Sequence, residues 1–505
     1  TMLDTARTAL TRIRNLSFMY KITGNTSYAN RAWQEIQAVI GFSDWRAQTF
    51  WLTTGEFSQA IAIGYDWLYD YLTPQQRSDI VSAIEDKALS PTLDSNGDYG
   101  QAGIAALEGN WNLVANSGIG LGALAIAHDN PTLANKILNG SINALNTKGV
   151  NWYSPNGGWR ESLVYWSYGS SYFTQYISSL KIATGQDFGL TNAPGFDQAG
   201  LVPIYMVSPI GEGWSTGDDE RVTPEVAPET MFTLADVSTT NQSYKNVYNW
   251  LGHKLQVQGA PTPLGLIDYY TTTRQLQSPA EAQLPADRYL QDFEGFTARQ
   301  SWDSTNASFM GMRAGRPLYH SQLEQGSFMF DSLGTRWAMD LGREDYSAPG
   351  ESGNSQRWTY YRNQPQGNNT LAINPTLNAA SIMDLNAVTT IDAHDSDAST
   401  AYAVTDLTSL YKNNLLSSWK RGVVLFDNRR QMLVQDEISA PQPVDVYWSM
   451  NTVADVSISS DGKIATLNRD GQRLLARIVS AGNAVFLVQD SEPIAGTAAD
   501  SSIDP

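Results

Sequence analysis

The segment 58-SQAIAIGYDWLYDYLTPQQRSDIVSAI-84 decides how the N-terminal part of the chain folds. In its first half, apolar side chains recur at helical spacing, for example at Ile61 and Leu68. In its second half, Thr73 can cap a new helix while Gln76, three residues later, completes a capping box. The segment therefore predicts two consecutive helices joined by a short connection.

Helical patterns continue on both sides of this segment, from Thr1 to about Gln283. Their connections are short or rich in Gly, Pro and Asn, which is typical of turns between helices. Many consecutive helices predict a helical array or toroid. The polar, proline-containing stretch 271–286 then marks the best domain boundary. The other helical stretches are 2–23, 27–40, 112–128, 132–145, 171–184 and 229–237.

From about Tyr289 the pattern changes to short alternating segments separated by Gly, Asn and Asp. The clearest is 423-VVLFDNRRQMLVQDEI-438, in which 427-DNRR-430 separates two apolar runs as a hairpin turn does. We therefore predict a multidomain α+β protein, helical over residues 1–285 and antiparallel β over 286–505. Further alternating segments are 307–315, 326–334, 444–450, 463–469 and 473–480.

The composition excludes several classes of function. The chain has 505 residues, with 33 Lys and Arg against 51 Asp and Glu, so its formal net charge is −18. This acidic balance excludes general nucleic-acid binding, which needs a basic surface. No apolar run reaches the roughly 20 residues that cross a bilayer, so we expect no membrane partner. Because there is no cysteine, disulfides, thiolate metal sites and a cysteine nucleophile are excluded.

Two segments of the helical part concentrate side chains that suit a carbohydrate. In residues 108–118, amides near a helix N-terminus can hold a carboxylate, and helix capping is the alternative. In residues 151–173, aromatic rings can stack on sugars and an arginine can pair with an acid, and a buried helix is the alternative. The candidates are Asn110, Trp111, Asn112 and Asn116, and then Trp159, Arg160, Glu161, Tyr165 and Trp166.

Three segments outside those two also carry candidate groups. His320 begins a strand-like run in which Gln322 and Glu324 share its face, and an ordinary histidine at a sheet edge is the alternative. Residues 357–374 could line a polar groove, and a solvated loop is the alternative. The acidic run 211–220 could supply the two carboxylates of a glycosidase, about 5–9.5 Å apart, or form a calcium loop or a solvated turn. It lacks the D-x-D-x-D-G pattern of a calcium hand. The groove candidates are Arg357, Tyr360, Tyr361, Arg362 and the paired Asn368 and Asn369.

With these segments in this order, the chain resembles the heparinase II/III-like polysaccharide lyases, which also include alginate and other uronate lyases. The resemblance spans most of the chain. It implies an N-terminal (α/α) toroid that is followed by a C-terminal antiparallel β-sandwich domain contributing to the cleft. The matching segments are 59-QAIAIGYDWLYDYLTPQQR-77, 110-NWNLVANSGIGLGALAIA-127, 155-PNGGWRESLVYWSYG-169, 320-HSQLEQGSFMFDSLGTRWAMDLG-342 and 357-RWTYYRNQPQGNNTLAIN-374.

The resemblance implies β-elimination of a uronate-containing anionic polysaccharide that leaves unsaturated uronate ends. That reaction needs a base at C5, donors that neutralise the carboxylate, and an acid that protonates the departing O4. By position, Asn112 is implied to neutralise the carboxylate, Tyr165 to act as acid, base or both, and His320 to transfer the second proton. The implied location is secreted or periplasmic, although Thr1–Leu10 shows no signal pattern. The implied substrate-binding residues are Asn110, Trp111, Asn116, Trp159, Arg160, Glu161, Trp166, Gln322, Tyr361 and Arg362.

Some family members hold a structural zinc through two histidines and an aspartate. Here the matching residues are Gln322, Asn368 and Asp340, and amides are poor zinc ligands. We therefore expect no metal and no other cofactor. Two alternatives stay open, namely a non-catalytic glycan-binding protein and a glycoside hydrolase on an (α/α) toroid. The hydrolase would depend on Asp218, Asp219, Glu161 or Glu212.

Overall fold

The computed structural model describes residues 1–101, 103–153, 155–220, 225–237, 241–317, 320–352, 356–480 and 482–499. Helices dominate up to residue 271. Among the helices of these residues, none is both long and apolar enough to cross a membrane. In chain order they are α1 (Met2–Thr23), α2 (Thr26–Ile40), α3 (Trp51–Leu68), α4 (Pro74–Ile84), α5 (Gly109–Ala125), α6 (Pro131–Ala144), α7 (Leu163–Thr184), α8 (Leu201–Met206), α9 (Pro228–Val237), α10 (Gln242–Gln258) and α11 (Pro263–Thr271).

The predicted start of α4 is confirmed. Thr73 Oγ1 accepts a hydrogen bond from the Gln76 backbone N–H at 3.3 Å, and Gln76 Oε1 accepts one from the Thr73 N–H at 2.9 Å. Every predicted helical stretch overlaps a helix, whereas α8, α10 and α11 were not predicted. Helix α10 buries Asn246, Asn249 and Gln256, and such polar residues on its buried face hide the apolar periodicity.

Helices that are two apart in the chain pack against each other. Helix α1 packs on α3 and α3 packs on α5, while α2 and α6 lie on α1 and α5. Where α3 crosses α5, a Cβ atom on Gly118 would lie only 2.1 Å from the carbonyl oxygen of Gly55. The crossing therefore needs glycine at position 118, because any side chain would push the two backbones apart.

The C-terminal part is built from antiparallel sheets, as predicted. One sheet has the order β1-β2-β3-β4-β5, a second β10-β9-β8-β7, a third β12-β13-β14, and β11 pairs with β6. The strands are β1 (Asp287–Leu290), β2 (Gly295–Arg299), β3 (Phe309–Arg313), β4 (Phe328–Ser332), β5 (Thr335–Ala338), β6 (Leu371–Ile373), β7 (Ile391–Ser396), β8 (Ala401–Asp406), β9 (Ser418–Phe426), β10 (Gln431–Ser439), β11 (Val446–Trp448), β12 (Asp455–Ile458), β13 (Ile464–Arg469) and β14 (Gln472–Arg477).

The predicted hairpin is confirmed as the pair β9 and β10. Its register runs from Phe426 opposite Gln431 to Ser418 opposite Ser439. Residues 427–429 have positive φ angles near 55–59°, which Asp and Asn tolerate better than most residues. The turn chemistry of this short segment thus fixes the register of the two longest strands among the described residues.

Three of the sheets share one buried core, to which Phe330, Val423 and Leu467 each contribute from a different sheet. The predicted combination of N-terminal helices and C-terminal antiparallel sheets is therefore confirmed. The chain divides into two compact units, which we call the helical unit and the β unit. The helical unit comprises Thr1–Gly157, Tyr165–Gly200 and Glu225–Ser278, and the β unit comprises Gly158–Val164, Leu201–Pro224 and Pro279–Pro505.

Candidate functional site

His320 lies at the centre of a polar cluster in the β unit, in the loop between β3 and β4. Its Nδ1 atom is 3.1 Å from the Tyr346 hydroxyl and 3.6 Å from Asp218 Oδ2. On the other side of the ring, Nε2 is 3.8 Å from Glu161 Oε1. The His320 side chain is 24% exposed, whereas those of Glu161 and Asp218 are 3% and 1% exposed. The cluster therefore offers solvent an imidazole held by buried carboxylates.

The backbone places Asp218 beside this imidazole. The loop after α8 approaches the His320 loop, and the Asp218 N–H donates to the His320 carbonyl at 2.8 Å. The preceding residue, Gly217, has a φ of +58°, and a Cβ there would lie 2.2 Å from that carbonyl oxygen. The sequence Gly-Asp at 217–218 is thus a local requirement, since glycine permits the approach that positions the aspartate.

Asp218 is also held by Arg357. The Arg357 Nη2 atom donates to Asp218 Oδ1 at 2.5 Å and to the Ser321 carbonyl at 2.9 Å, while its Nη1 donates to Glu351 Oε1. Burial alone would raise the pKa of Asp218, but His320 and Arg357 outweigh it and lower the pKa below its ordinary value. Asp218 is therefore an anion at neutral pH. Burial raises the pKa of Glu351 to about 7.

The hydrogen bonds assign the protons of the cluster. The Tyr346 hydroxyl donates to Asp218 Oδ2 at 2.8 Å, so its oxygen is left to accept from His320. On this assignment Nδ1 carries the ring proton of the neutral imidazole and Nε2 carries the lone pair. A proton taken up at Nε2 would form an imidazolium that faces Glu161 and Asp218. This arrangement suits a general base.

The adjacent Asp218 and Asp219 do not form an exposed acid–base pair. Asp219 is 2% exposed, and its Oδ1 accepts hydrogen bonds from the Ser162 hydroxyl and, at 3.3 Å, from the Val164 N–H. Burial raises its pKa well above the ordinary value. Glu212 in turn forms an ion pair with Arg336 at 3.2 Å. The geometry of these three acids gives the glycoside hydrolase alternative no support.

The three positions that match a zinc site make hydrogen bonds within the protein. Gln322 Nε2 donates to the carbonyls of Gly217 and Gly342 at 2.8 and 3.1 Å. Asn368 Nδ2 donates to two backbone carbonyls at 3.0 Å, and burial raises the pKa of Asp340 to about 8. A neutral acid and two amides do not fit zinc. In the part of the chain that the structure describes, no three His, Asp or Glu side chains converge as metal ligands. The expected absence of a cofactor stays a prediction.

The three asparagines of the helical unit are buried in α5. Asn112 is 0% exposed and its Nδ2 donates to the carbonyls of Leu107 and Ala144 at 2.8 and 3.4 Å. Asn116, also 0% exposed, accepts from the Tyr99 hydroxyl at 2.7 Å. Asn110 is 1% exposed. These contacts favour a packing role for Asn112 and Asn116, and the role of Asn112 at a uronate carboxylate stays a prediction.

The remaining candidates fall into two groups by burial. Arg362 illustrates the buried group, since its Nη1 donates to the Leu341 carbonyl. Arg160 illustrates the accessible group, with a side chain that is 38% exposed and bound to Asp292. The buried candidates are Trp159, Glu161, Trp166, Gln322, Tyr361 and Arg362, and the partly exposed ones are Trp111, Arg160, Tyr165 and His320.

Sequence reasoning missed Tyr346 and the pairing of Arg357 with Asp218. Tyr346 lies in a loop after β5, in 343-REDYSAPGE-351, where no periodicity marks it as part of a site. Its signal is a tyrosine between acidic residues and a Pro-Gly turn, which is a weak pattern. The expected strand-like run from His320 to Glu324 is a loop, because its polar side chains bind backbone groups instead of alternating across a sheet.

Comparisons with known proteins agree with this architecture. No curated relative matches the chain. It is similar to the crystal structure of a mutant heparan sulfate lyase HepC from Pedobacter heparinus, with 15% identity, 93% of this chain and 68% of that chain covered, and a TM-score of 0.62. The unmutated HepC gives 15% identity, the same coverages and a TM-score of 0.60. A heparinase III structure gives 14% identity, coverages of 92% and 68%, and a TM-score of 0.62.

At these identities the structural likeness establishes the shared fold. The family itself is indicated by a sequence model described as Heparinase II/III-like, C-terminal, which matches residues 295–500. That range contains His320, Tyr346 and Arg357. The family prediction is thus confirmed, since residues 295–500 match the C-terminal domain of heparinase II/III-like proteins.

Proposed function

We propose that this protein is a polysaccharide lyase that cleaves a uronate-containing polysaccharide by β-elimination. The observation that carries the proposal is the partly exposed His320, whose Nδ1 side is fixed by Tyr346 and the anionic Asp218. The structural relatives, which are named as heparan sulfate lyase and heparinase III, support this class of reaction. A substrate of this kind also supports the expected secreted or periplasmic location.

In the proposed reaction His320 Nε2 removes the proton at C5 of the uronate. The electron pair forms the C4–C5 double bond and the C4–O4 bond breaks, so one proton must reach the departing O4. Tyr165, the third residue of α7, is the proposed acid and donates its phenolic proton. Hydrogen-bond donors must neutralise the uronate carboxylate as charge develops there. Asn112 keeps that role as a prediction.

We also propose that the helical unit is the (α/α) toroid of the family. The packing of α1 on α3 and of α3 on α5, with α2 and α6 lying on α1 and α5, supports this proposal. Such a pattern of alternate helices is what an inner and an outer layer require.

Substitution of the two proton-transfer residues tests the proposed reaction. We expect His320→Ala and Tyr165→Phe each to lower formation of unsaturated uronate by at least roughly 10²-fold, because general acid–base catalysis contributes that much. The reaction is followed by the ultraviolet absorbance of the conjugated product on a panel of uronate polymers. Only elimination creates that double bond, so products without absorbance would indicate hydrolysis.

Matched controls separate chemistry from folding. His128→Ala changes an exposed histidine that follows α5, and Tyr270→Phe changes a tyrosine that is 79% exposed. Both controls should keep full activity, and circular dichroism should show that all four variants are folded. Full activity of His320→Ala or Tyr165→Phe would reject the corresponding assignment.

A further inference from the structure

We propose that the site selects uronate polymers without sulfate groups, an inference that rests on the proposed lyase function. It comes from the arginines that border the His320–Tyr346 pair. Among the described residues, Arg343 lies against the Tyr346 ring, Arg357 binds Asp218 and Arg160 directly precedes Glu161. Each of these three arginines already binds a carboxylate of the chain itself. Such pairing leaves the site poor in cation for a densely anionic ligand.

Arg160 and Arg343 are the two partly exposed members of this set. Arg160 directly precedes Glu161, and its Nε donates to Asp292 Oδ2 at 2.8 Å. Arg343 lies with its Cζ atom 5.4 Å from the centre of the Tyr346 ring. Its Nε and Nη2 both donate to Glu220 Oε1, at 3.2 and 3.0 Å. The two guanidinium groups are therefore engaged at the places where an incoming anion could reach them.

Arg357 is the buried member, with a side chain that is 10% exposed. It binds both Asp218 and Glu351. Around the pair, the carboxylates that bind arginines thus include Asp218, Glu220 and Asp292, one for each guanidinium group, and Glu161 lies on the other side of His320.

This charge arrangement distinguishes two kinds of anion. A uronate carboxylate is one anion per uronate and can be met by hydrogen-bond donors such as a tyrosine hydroxyl. A sulfate ester adds a permanent anion that needs its own cation, most often an arginine bound through two hydrogen bonds. To bind Arg160 or Arg343, sulfate would have to displace Asp292 or Glu220 and remain close to that carboxylate. Repulsion of this kind is a means of rejecting a wrong ligand.

Matched polymers test the inference. Alginate, hyaluronan and a second unsulfated glucuronate–N-acetylglucosamine polymer, one with 1→4 linkages throughout, are each compared with a chemically sulfated sample of the same polymer. The value of kcat/KM is measured from product absorbance. We expect cleavage of at least one unsulfated polymer, with kcat/KM about tenfold or more above its sulfated form. Equal or faster cleavage of sulfated forms overturns the inference while leaving the lyase proposal intact. Absence of unsaturated product from every sample rejects the proposed function, and the inference falls with it.

Two variants test whether the pairing of arginines with carboxylates causes the preference for unsulfated polymers. Glu220→Gln and Asp292→Asn each remove the charge of the carboxylate that binds an arginine, and both ion pairs are partly exposed, so the fold should tolerate the change. Each should raise the ratio of sulfated to unsulfated kcat/KM about tenfold. Asp427→Asn breaks the exposed Asp427–Arg430 pair in the turn between β9 and β10 and should leave the ratio unchanged. If the ratio of sulfated to unsulfated kcat/KM is unchanged in both test variants, or rises equally in Asp427→Asn, the arginine–carboxylate pairs are not the cause of the preference.

Discussion

Tyr346 connects an anion to an imidazole. Its hydroxyl donates to Asp218 at 2.8 Å and lies 3.1 Å from His320 Nδ1, so one oxygen atom fixes both the orientation and the tautomer of the ring. Arg357 in turn keeps Asp218 ionised in a buried place. The reactivity proposed for His320 thus depends on residues that surround it, since a histidine alone would sample both tautomers.

Removing the Tyr346 hydroxyl tests this connection. In Tyr346→Phe the ring proton of His320 loses its acceptor, and we expect kcat to fall roughly ten- to hundredfold. KM should change less than kcat if the hydroxyl mainly positions His320, so steady-state kinetics on the best uronate polymer distinguish positioning from substrate binding. Tyr402→Phe, at a tyrosine that is 37% exposed on β8, is the control. Wild-type kcat in Tyr346→Phe would remove Tyr346 from the mechanism.

At the scale of elements, local sequence signals located most helices and the clearest hairpin. The capping box at Thr73 and the turn at 427–430 act within a few residues, so a single sequence reveals them. Helix α10 was missed because its buried face carries polar side chains. The strand expected after His320 was wrong because Gln322 and Glu324 are held by hydrogen bonds to distant backbone groups.

A substitution at Gly118 tests how closely α3 and α5 approach each other where they cross. Gly118→Ala would put a methyl group 2.1 Å from the Gly55 carbonyl oxygen, so we expect a loss of roughly 2–3 kcal/mol in the free energy of unfolding. Denaturant titration measures it. Ser117→Ala, one residue earlier on the same helix, removes a buried hydroxyl with no hydrogen-bond partner among the described residues and should cost little or nothing. Equal stabilities of Gly118→Ala and the wild type would contradict the tight crossing.

At the scale of the whole molecule, buried acids make stability depend on pH. Burial raises the pKa of Glu351 from an ordinary 4.5 to about 7, so the folded protein keeps a proton that the unfolded chain releases between those values. The stability from Glu351 is therefore fully present below about pH 4.5 and is lost as pH rises to about 7.

Glu351→Gln should remove this loss because glutamine does not titrate. Between pH 4.5 and 7, the wild type should lose roughly 1–3 kcal/mol more in the free energy of unfolding than the variant. Urea titrations at closely spaced pH values measure the difference. Parallel stability curves for the two proteins would show that Glu351 does not titrate in this range.

The sequence by itself determined the change from helices to antiparallel strands, the family and the candidate His320. These properties depend on periodicity, capping, turn residues and motifs in order, all of which are local along the chain. The tertiary structure decided which polar groups act together. Asp218, Tyr346 and Arg357 come from three separate segments of the chain, and burial and pairing, which set their charges, exist only once those segments meet. For the same reason, only the tertiary structure shows that Arg160, Arg343 and Arg357 each bind a carboxylate of the chain.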